Sequence, residues 1–288
     1  MYKFKNIPLD CFHCRLNKYL FSNDLYKNND YLSKQLLNIA SLKEDFNICD
    51  FDKILFNEYK KIVDVEDYSK VKPYYNQLLE SHKNNLLEKI NNSKDPILVA
   101  LKYTLQANYI DFASQNNINE DKMWSLLLDS ENIDLDMNVY SKFIDELSKA
   151  KNLVYLIDNC GEIVLDKILI EKIIEKYPNI SITAVVRGQD VINDCTMNDA
   201  LQIGLDKVCN VIDNGDSNAG TYLDKISKEC LDLINNADLI ISKGQGNAES
   251  LFNSKLNIYY VLLCKCDYFA KLFNTVKYKA ILSRELDR

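Results

Sequence analysis

Residues 152–162 read Asn-Leu-Val-Tyr-Leu-Ile-Asp-Asn-Cys-Gly-Glu, and a helical stretch from Ile163 to Lys176 follows them. The apolar run Asn152–Ile157 has the length and composition of a short buried β-strand. A strand that turns at a glycine directly into a helix is the first half of a βαβ unit. This stretch therefore predicts a parallel sheet covered by helices.

The residues that follow repeat this strand-and-helix alternation. Helices are predicted near Thr196–Ile203 and Tyr222–Asn235. Further buried strands are predicted at Ile180–Val186, Val208–Ile212, Asp238–Ser242 and Ile258–Leu263. Short strands that alternate with helices indicate an α/β fold with a Rossmann-like parallel sheet, in which ligands bind beyond the carboxyl ends of the strands.

The first half of the chain shows helical periodicity instead. Apolar residues recur at helical spacing in Tyr31–Phe46 and Tyr74–Ile90, and Asp95-Pro96 has the N-cap and N1 residues that open a helix. No convincing alternating run occurs before residue 150. We therefore expect an N-terminal all-helical domain at 1–150 and an α/β domain that binds metal and phosphate at 151–288.

Composition excludes several classes of function. The formal net charge of −7, without a Lys/Arg run, argues against nucleic-acid binding. No apolar run reaches the roughly 18 residues of a membrane span, and no signal peptide is visible. Nine cysteines without such a signal predict reduced thiols in the cytoplasm. With only two histidines, His13 and His82, a catalytic metal must depend on carboxylates, which favours Mg²⁺, Mn²⁺ or similar ions.

Oxygen-bearing side chains follow the first two predicted strands. Asp158 and Asn159 come directly after the first strand, and Gly161 lets the chain turn closely. Asp194, after the second strand, can complete a carboxylate metal site. The alternative is local: Asp158 and Asn159 form an Asx turn and a helix cap, and Asp194 caps the helix near Thr196.

Groups suited to an anion lie at the same predicted edge. Arg187 follows the second strand, and Lys265 follows the fifth. The glycine-containing segment Lys243–Leu251 enters a helix, and N–H groups at a helix start bind anions. It lacks the third glycine of a dinucleotide fingerprint. Each signal alone is weak, and Lys265 can equally be a solvated side chain. A divalent ion at this edge could activate water and hold a phosphoryl group.

Taken together, these motifs resemble one known family. The segments concerned are Asp158–Asp166, Val191–Ala200, Ser242–Leu251, Lys265-Cys266, Ala107–Asp111 and Cys11–Cys14. In this order they resemble the damage-control phosphatases, long catalogued as domain-of-unknown-function family eighty-nine, over nearly the whole chain. The Cys-x-x-Cys is similar to that of the family's prokaryotic branch.

The resemblance implies a metal-dependent phosphatase that acts on small phosphorylated metabolites with Mn²⁺, Co²⁺, Ni²⁺ or Mg²⁺. It implies metal ligands at Asp158, Asn159 and Asp194 and a catalytic, phosphate-contacting Lys265. Motifs and strand ends together predict substrate contacts from Asn108, Asp111, Glu162, Arg187, Asn193, Lys243, Gly244, Gln245, Gly246, Asn247 and Glu249. The loop Gln245–Glu249 and the residues before Lys265 differ from the eukaryotic sugar-phosphate branch, so fructose phosphates are not assumed as substrates.

Other functions remain open at this point. One family member has been assigned as an S-adenosylmethionine-dependent carboxyl methyltransferase, but Arg187 stands where an acidic residue would hold the ribose. A non-catalytic metal- and phosphate-binding module is the other alternative. The Asp-x-Asp motif of haloacid dehalogenases is absent, because Cys160 takes the place of the second aspartate. Attack by activated water is therefore favoured, with Asp158 as nucleophile the alternative.

Cys11-Phe12-His13-Cys14 also admits several interpretations. A closed zinc site needs four ligands, so Cys264 or Cys266 would have to join. A redox dithiol requires a thioredoxin-like setting, whereas Asp10 here looks like the cap of a helix. We favour a structural role for Cys11 and Cys14, with metal binding as the alternative.

Overall fold

The computed structural model describes residues 8–42, 46–65, 67–108, 124–125 and 127–287. The chain forms two compact units. One comprises residues 1–67 with 266–272, and the other comprises residues 68–265 with 273–288. The predicted domain boundary at residue 150 separates the helical half of the sequence from the half with strands, whereas these two units are defined by their internal contacts. The predicted boundary stays a prediction.

The smaller unit is helical. Its α-helices are α1 (Leu9–Leu16), α2 (Asn29–Ser41), α3 (Ile48–Tyr59) and α11 (Asp267–Leu272), with a π-helical turn at Asn17–Phe21 and a 3₁₀ segment at Ser22–Lys27. Its buried core is aromatic and aliphatic, and it includes Tyr19, Phe51 and Leu55. The predicted cap at Asp10 is wrong, because α1 begins at Leu9 after Pro8 and Asp10 instead pairs with Lys271 at 2.9 Å.

The larger unit holds the sheet. Its α-helices are α4 (Tyr68–Asn91), α5 (Pro96–Ala107), α6 (Met137–Lys149), α7 (Glu162–Lys176), α8 (Met197–Gln202), α9 (Lys228–Asn235) and α10 (Gly244–Leu251). Its strands are β1 (Asn152–Leu156), β2 (Ser181–Val186), β3 (Asn210–Asp213), β4 (Leu239–Lys243), β5 (Ile258–Leu263) and β6 (Ala280–Arg284).

The sheet has the order β3-β2-β1-β4-β5-β6, and its first five strands are parallel. The chain leaves β1 towards β2 on one side and returns to β4 on the other. The order therefore reverses next to β1, and such a reversal opens a crevice at the carboxyl ends of the strands. The residues that follow β1, β2 and β4 meet there.

The predicted α/β fold with a mostly parallel sheet is confirmed. Asp95 caps α5 as expected, because its carboxylate accepts from the Leu98 amide and Pro96 takes the first helical position. Two details differ. Helix α9 begins at Lys228 rather than near Tyr222, because Ser227 supplies the cap. The antiparallel strand β6 was not predicted at all.

Candidate functional site

The segments after β1 and β2 pair with each other at the carboxyl edge of the sheet. Asn159 and Asp194 form an antiparallel bridge. The Cys160 amide donates to the Asn193 carbonyl at 2.9 Å, and the Cys195 amide donates to the Asp158 carbonyl at 2.8 Å. Three residues predicted as metal ligands are thus brought together by backbone hydrogen bonds. Asp194 does not cap α8, since Thr196 takes that position in a capping box with Asp199.

The Asp158 carboxylate is buried among amides and backbone. Its Oδ2 accepts from Asn108 Nδ2 at 3.1 Å and from Asn159 Nδ2 at 2.9 Å. Helix α10 begins against the same oxygen: a Cβ on Gly244 would lie 1.7 Å from Asp158 Oδ2. Gly244 also has a φ of +74°, which side chains rarely adopt. Only glycine therefore allows α10 to approach this carboxylate.

Negative charge is concentrated around Asp158. Burial raises the pKa of its carboxyl well above the ordinary value, and the carboxylates of Glu162 and Asp194 raise it further. Arg187 and Lys265 act in the opposite direction and lower that pKa. Lys265 follows β5, and its positive charge makes the smallest of these contributions to the pKa of Asp158.

Arg187 lies between two of the predicted ligands. Its Nε donates to Asp194 Oδ2 at 2.6 Å, and its Nη2 lies 3.8 Å from Asp158 Oδ1. Nη1 donates to Asn247 Oδ1 at 2.9 Å. The side chain is 1% exposed, so the guanidinium orders the carboxylates from within the protein. Its predicted contact with phosphate stays a prediction.

Asn247 is held entirely by protein groups. Its Nδ2 donates to the carbonyls of Ile157 and Lys243, and its Oδ1 accepts from Arg187 and from the Thr221 hydroxyl. Four hydrogen bonds fill the capacity of an asparagine amide. Asn247 therefore fixes Arg187 against the end of β1, which leaves it no hydrogen-bonding capacity for the predicted substrate contact.

Lys243, Asp166 and Glu162 form a buried ion-pair cluster next to Asn159. Lys243 Nζ lies 2.9 Å from Asp166 Oδ1 and 3.3 Å from Glu162 Oε2, and all three side chains are inaccessible. Burial alone would lower the pKa of Lys243, but the carboxylates of Asp166 and Glu162 outweigh it and raise that pKa. Glu162 also accepts from Asn108 and Asn159. Glu162 thus holds the Asn159 side chain, which is predicted to be a ligand, and Lys243 holds Glu162.

The other predicted contacts lie on three different elements. Gln245 donates to Glu249 at 2.9 Å within α10, so the segment expected to be a loop is helical from Gly244 onward. Gly246 packs against Ala219. Asn193 is buried, and its amide nitrogen has no hydrogen-bond partner among the residues described. Asn108 is the C-cap of α5. Asp111 lies outside the described residues, and its role stays a prediction.

Sequence reasoning missed several polar residues at this edge. Asn76, on α4, accepts from the Gly161 amide at 2.6 Å. Lys72, one turn earlier, pairs with Asp199 at 2.7 Å. Thr221, after β3, contacts Arg187 and Asn247. The Thr196-x-x-Asp199 capping box signals only the start of a helix, and no local pattern points to Asn76, Lys72 or Thr221.

The oxygen donors at this edge fit a hard divalent cation. The Asn159 side chain donates through Nδ2 to Asp158 and Glu162, which leaves its Oδ1 for a ligand role. Within the described ranges, no three histidine, cysteine, aspartate or glutamate side chains form a ready metal site. A cation bound by Asp158, Asp194 and one amide would have further positions for water or substrate, as Mg²⁺ sites commonly do.

A second concave region lies at the opposite edge of the sheet. It is a cavity of about 340 Å³ between the starts of β1 and β2 and helix α9. None of the predicted site residues lines it. Its position at the amino ends of the strands is not where parallel sheets bind ligands. The crevice at the carboxyl edge therefore remains the candidate site.

A comparison with known protein families identifies the family of this chain. The family model of the damage-control phosphatase ARMT1-like domain matches residues 7–281. The chain belongs to this family. The resemblance seen in the motifs is thereby confirmed, whereas the assignment of Cys11 and Cys14 to one branch stays a prediction.

Three archaeal relatives of this ARMT1-like chain are similar in sequence. An uncharacterised protein of Methanocaldococcus jannaschii is 39% identical over 57% of this chain and 54% of its own length. The damage-control phosphatase PH1575 of Pyrococcus horikoshii is 35% identical over 60% of each chain. A damage-control phosphatase of Archaeoglobus fulgidus is 32% identical over 73% of each. The aligned part thus spans less than two thirds of the first two relatives.

The fold of the family is also shared. The crystal structure of the Pyrococcus horikoshii protein, described as a DUF89 family protein, superposes with a TM-score of 0.76 at 26% identity. The match covers 96% of this chain and 98% of that one. No helix among the described residues is long and apolar enough to cross a bilayer.

The nine cysteines of this family member all lie among the described residues, and no disulfide joins them. Cys14 is exposed on α1, and Cys266 accepts from the Phe269 amide at 3.5 Å. Helix α1 packs against α11, which Cys266 precedes. The structural role predicted for Cys11 and Cys14 stays a prediction.

Proposed function

We propose that this protein is a metal-dependent phosphatase that hydrolyses small phosphorylated metabolites in the cytoplasm. One observation carries the proposal. The backbone pairing of Asn159 with Asp194 assembles two carboxylates and an amide at the carboxyl edge of the sheet, within the electrostatic reach of Lys265. Membership of the damage-control phosphatase family supports the same reaction.

Asp158, Asn159 and Asp194 are the proposed metal ligands. Repulsion among buried carboxylates, which raises the pKa of Asp158, is relieved when a cation binds between them. Their oxygen chemistry suits Mn²⁺, Mg²⁺, Co²⁺ or Ni²⁺. A divalent ion held there supplies a Lewis acid that stabilises phosphoryl charge and lowers the pKa of a water molecule.

The positive groups have different roles in this proposal. Lys265 is only half-buried, so its ammonium can reach a phosphate oxygen and neutralise charge that redistributes in the transition state. Arg187 is buried, donates to Asp194 through Nε and to Asn247 through Nη1, and so keeps the Asp194 carboxylate oriented. Lys265 is therefore the proposed catalytic cation, and Arg187 the positioning one.

Attack by water accounts for the geometry better than attack by Asp158. Asp158 Oδ2 already accepts two hydrogen bonds and is packed against the Gly244 backbone. A nucleophilic carboxylate oxygen needs an open line of approach to phosphorus, and this oxygen is enclosed. In this proposal Oδ1 of Asp158 is left to bind the metal, and the nucleophile is water.

The alternatives fit less well. An adenosyl donor for methyl transfer would require an acidic ribose-binding residue at the end of β2. That position is occupied by Arg187, which is paired with Asp194. A non-catalytic binding module would retain metal and phosphate affinity without turnover. Turnover assays separate it from the phosphatase.

The test is hydrolysis by metal-stripped protein of a panel of phosphate esters, with single divalent ions added back. We expect activity to disappear on exhaustive chelation and to return with Mn²⁺, Co²⁺ or Ni²⁺, because the metal is the main electrophile. Hydrolysis that survives complete removal of divalent ions would refute metal dependence. Metal and phosphate binding without turnover of any ester would favour the binding module.

A further inference from the structure

Helix α4 carries two buried polar side chains that contact the ligand-bearing segments. Asn76 is 0% exposed and Lys72 is 4% exposed. They lie four residues apart and therefore share one face of the helix. Later on α4, the buried residues are apolar, as at Leu79 and Leu86. Burying an amide or an ammonium group is unfavourable unless the group is hydrogen-bonded. The hydrogen-bond partners of Asn76 and Lys72 therefore indicate the role of this helix face.

Asn76 holds the turn that follows β1. Its Oδ1 accepts from the Gly161 amide at 2.6 Å, across 85 positions in sequence. Gly161 has a φ of 75° and lies two residues after Asn159. Through its Nδ2, Asn76 also donates to Asp199 Oδ1 at 3.2 Å and to Gln202 Oε1 at 2.9 Å. One side chain therefore contacts both the turn after β1 and the helix after β2.

Lys72 contacts the second segment only. Its Nζ lies 2.7 Å from Asp199 Oδ2 and 3.1 Å from Asp190 Oδ1. Burial alone would lower the pKa of Lys72, but Asp199 and Asp190 outweigh it and raise that pKa, so the ammonium stays charged at neutral pH. Asp199 accepts from the amide of Thr196, which lies two residues after Asp194.

The two segments have few bonds of their own. The antiparallel Asn159–Asp194 bridge consists of two backbone hydrogen bonds, donated by the amides of Cys160 and Cys195. Such short irregular segments can shift relative to each other unless something outside them fixes both. Helix α4 is placed to do so.

We propose that Asn76, supported by Lys72, is a positioning residue that holds the Asp158–Gly161 turn and the Asp194–Thr196 segment at the separation a divalent ion requires. The inference rests on the proposed function. It extends that function to a helix that contributes no ligand. Outer contacts that orient ligand side chains commonly change metal affinity by about 10–100-fold.

The test compares Asn76→Ala and the milder Asn76→Ser with Leu79→Ala. Leu79→Ala removes a fully buried apolar side chain from the same helix without removing a side-chain hydrogen bond to either segment. The first measurement is the Kd for Mn²⁺ of metal-stripped protein by titration calorimetry. The second is hydrogen exchange of metal-free protein in peptides that cover residues 158–164. Chemical unfolding reports the stability of each variant.

We expect the Asn76 variants to bind Mn²⁺ about 10–100-fold more weakly and to exchange faster at residues 158–164. Leu79→Ala should lose stability yet keep the wild-type Mn²⁺ affinity and exchange in this region. Folded Asn76 variants with wild-type affinity would overturn the inference, as would equal weakening in Leu79→Ala. If Asn76→Ala does not fold, Asn76→Ser decides by the same criteria. Wild-type protein that binds no Mn²⁺ would instead overturn the proposed function, and the inference with it.

Discussion

Asp194→Asn is expected to lower kcat/KM for phosphate-ester hydrolysis by about a thousandfold. The substitution keeps the shape of the side chain but removes one of the two charges that are proposed to hold the cation. A bound metal supplies several kcal/mol of transition-state stabilisation, and a loss of about 4 kcal/mol corresponds to about three orders of magnitude in rate. Steady-state kinetics at saturating Mn²⁺ measures the effect.

Two opposing electrostatic effects determine the stability of this variant. Loss of the Asp194 charge relieves the repulsion that raises the pKa of Asp158, but it also removes the negative charge that lies 2.6 Å from Arg187 Nε. Because Arg187 is buried, we expect the weakened interaction with Arg187 to outweigh the relieved repulsion. The variant should be less stable by about 1–3 kcal/mol. Asp232→Asn on α9, at the opposite edge of the sheet, is the matched control and should retain wild-type kinetics. Near wild-type turnover in Asp194→Asn would remove this residue from the site.

Gly244→Ala should damage the site although it adds only one methyl group. The new Cβ would lie 1.7 Å from Asp158 Oδ2, so either the carboxylate rotates or helix α10 moves away. Rotation breaks the hydrogen bonds from Asn108 and Asn159. A displacement of about 1 Å at a reacting centre can cost about 10²-fold in rate. We expect at least that loss in kcat/KM, together with weaker Mn²⁺ binding.

The same variant is also strained. An alanine at a φ of +74° costs about 1–2 kcal/mol, and overpacking adds about 1–3 kcal/mol. Gly246→Ala is the matched control, because its Cβ would approach no closer than 3.4 Å to Ala219 and its φ is not positive. Its free energy of unfolding should not fall, since alanine favours a helix. A Gly244→Ala protein as stable and active as wild type would contradict the packing described here.

The sequence was most informative where local pattern decides structure. The apolar runs predicted β1 to β5, because a buried parallel strand is recognisable from its own residues. Parallel strands end at one edge of a sheet, and this rule is enough to predict that Asp158, Asn159 and Asp194 lie together. Strand β6 was missed because it is a short antiparallel edge strand that is only partly buried, which gives a weak apolar signal.

The contacts that support the predicted ligands could not be predicted from local sequence pattern. The bond from Gly161 to Asn76 and the bond from Lys72 to Asp199 join residues that are far apart in sequence. Asn247 looked like a substrate contact within a glycine-containing loop, but the fold uses all of its amide capacity internally. Such assignments depend on tertiary contacts, which periodicity and spacing do not encode.

The most direct test of the proposed metal site is to locate the ion. Crystals of metal-stripped protein soaked in Mn²⁺ would be measured at the manganese absorption edge. We predict one strong anomalous peak at the carboxyl edge of the sheet, about 2.0–2.4 Å from oxygens of Asp158, Asn159 and Asp194. A peak bound elsewhere, or none at this edge in crystals of protein that hydrolyses phosphate esters, would contradict the assignment.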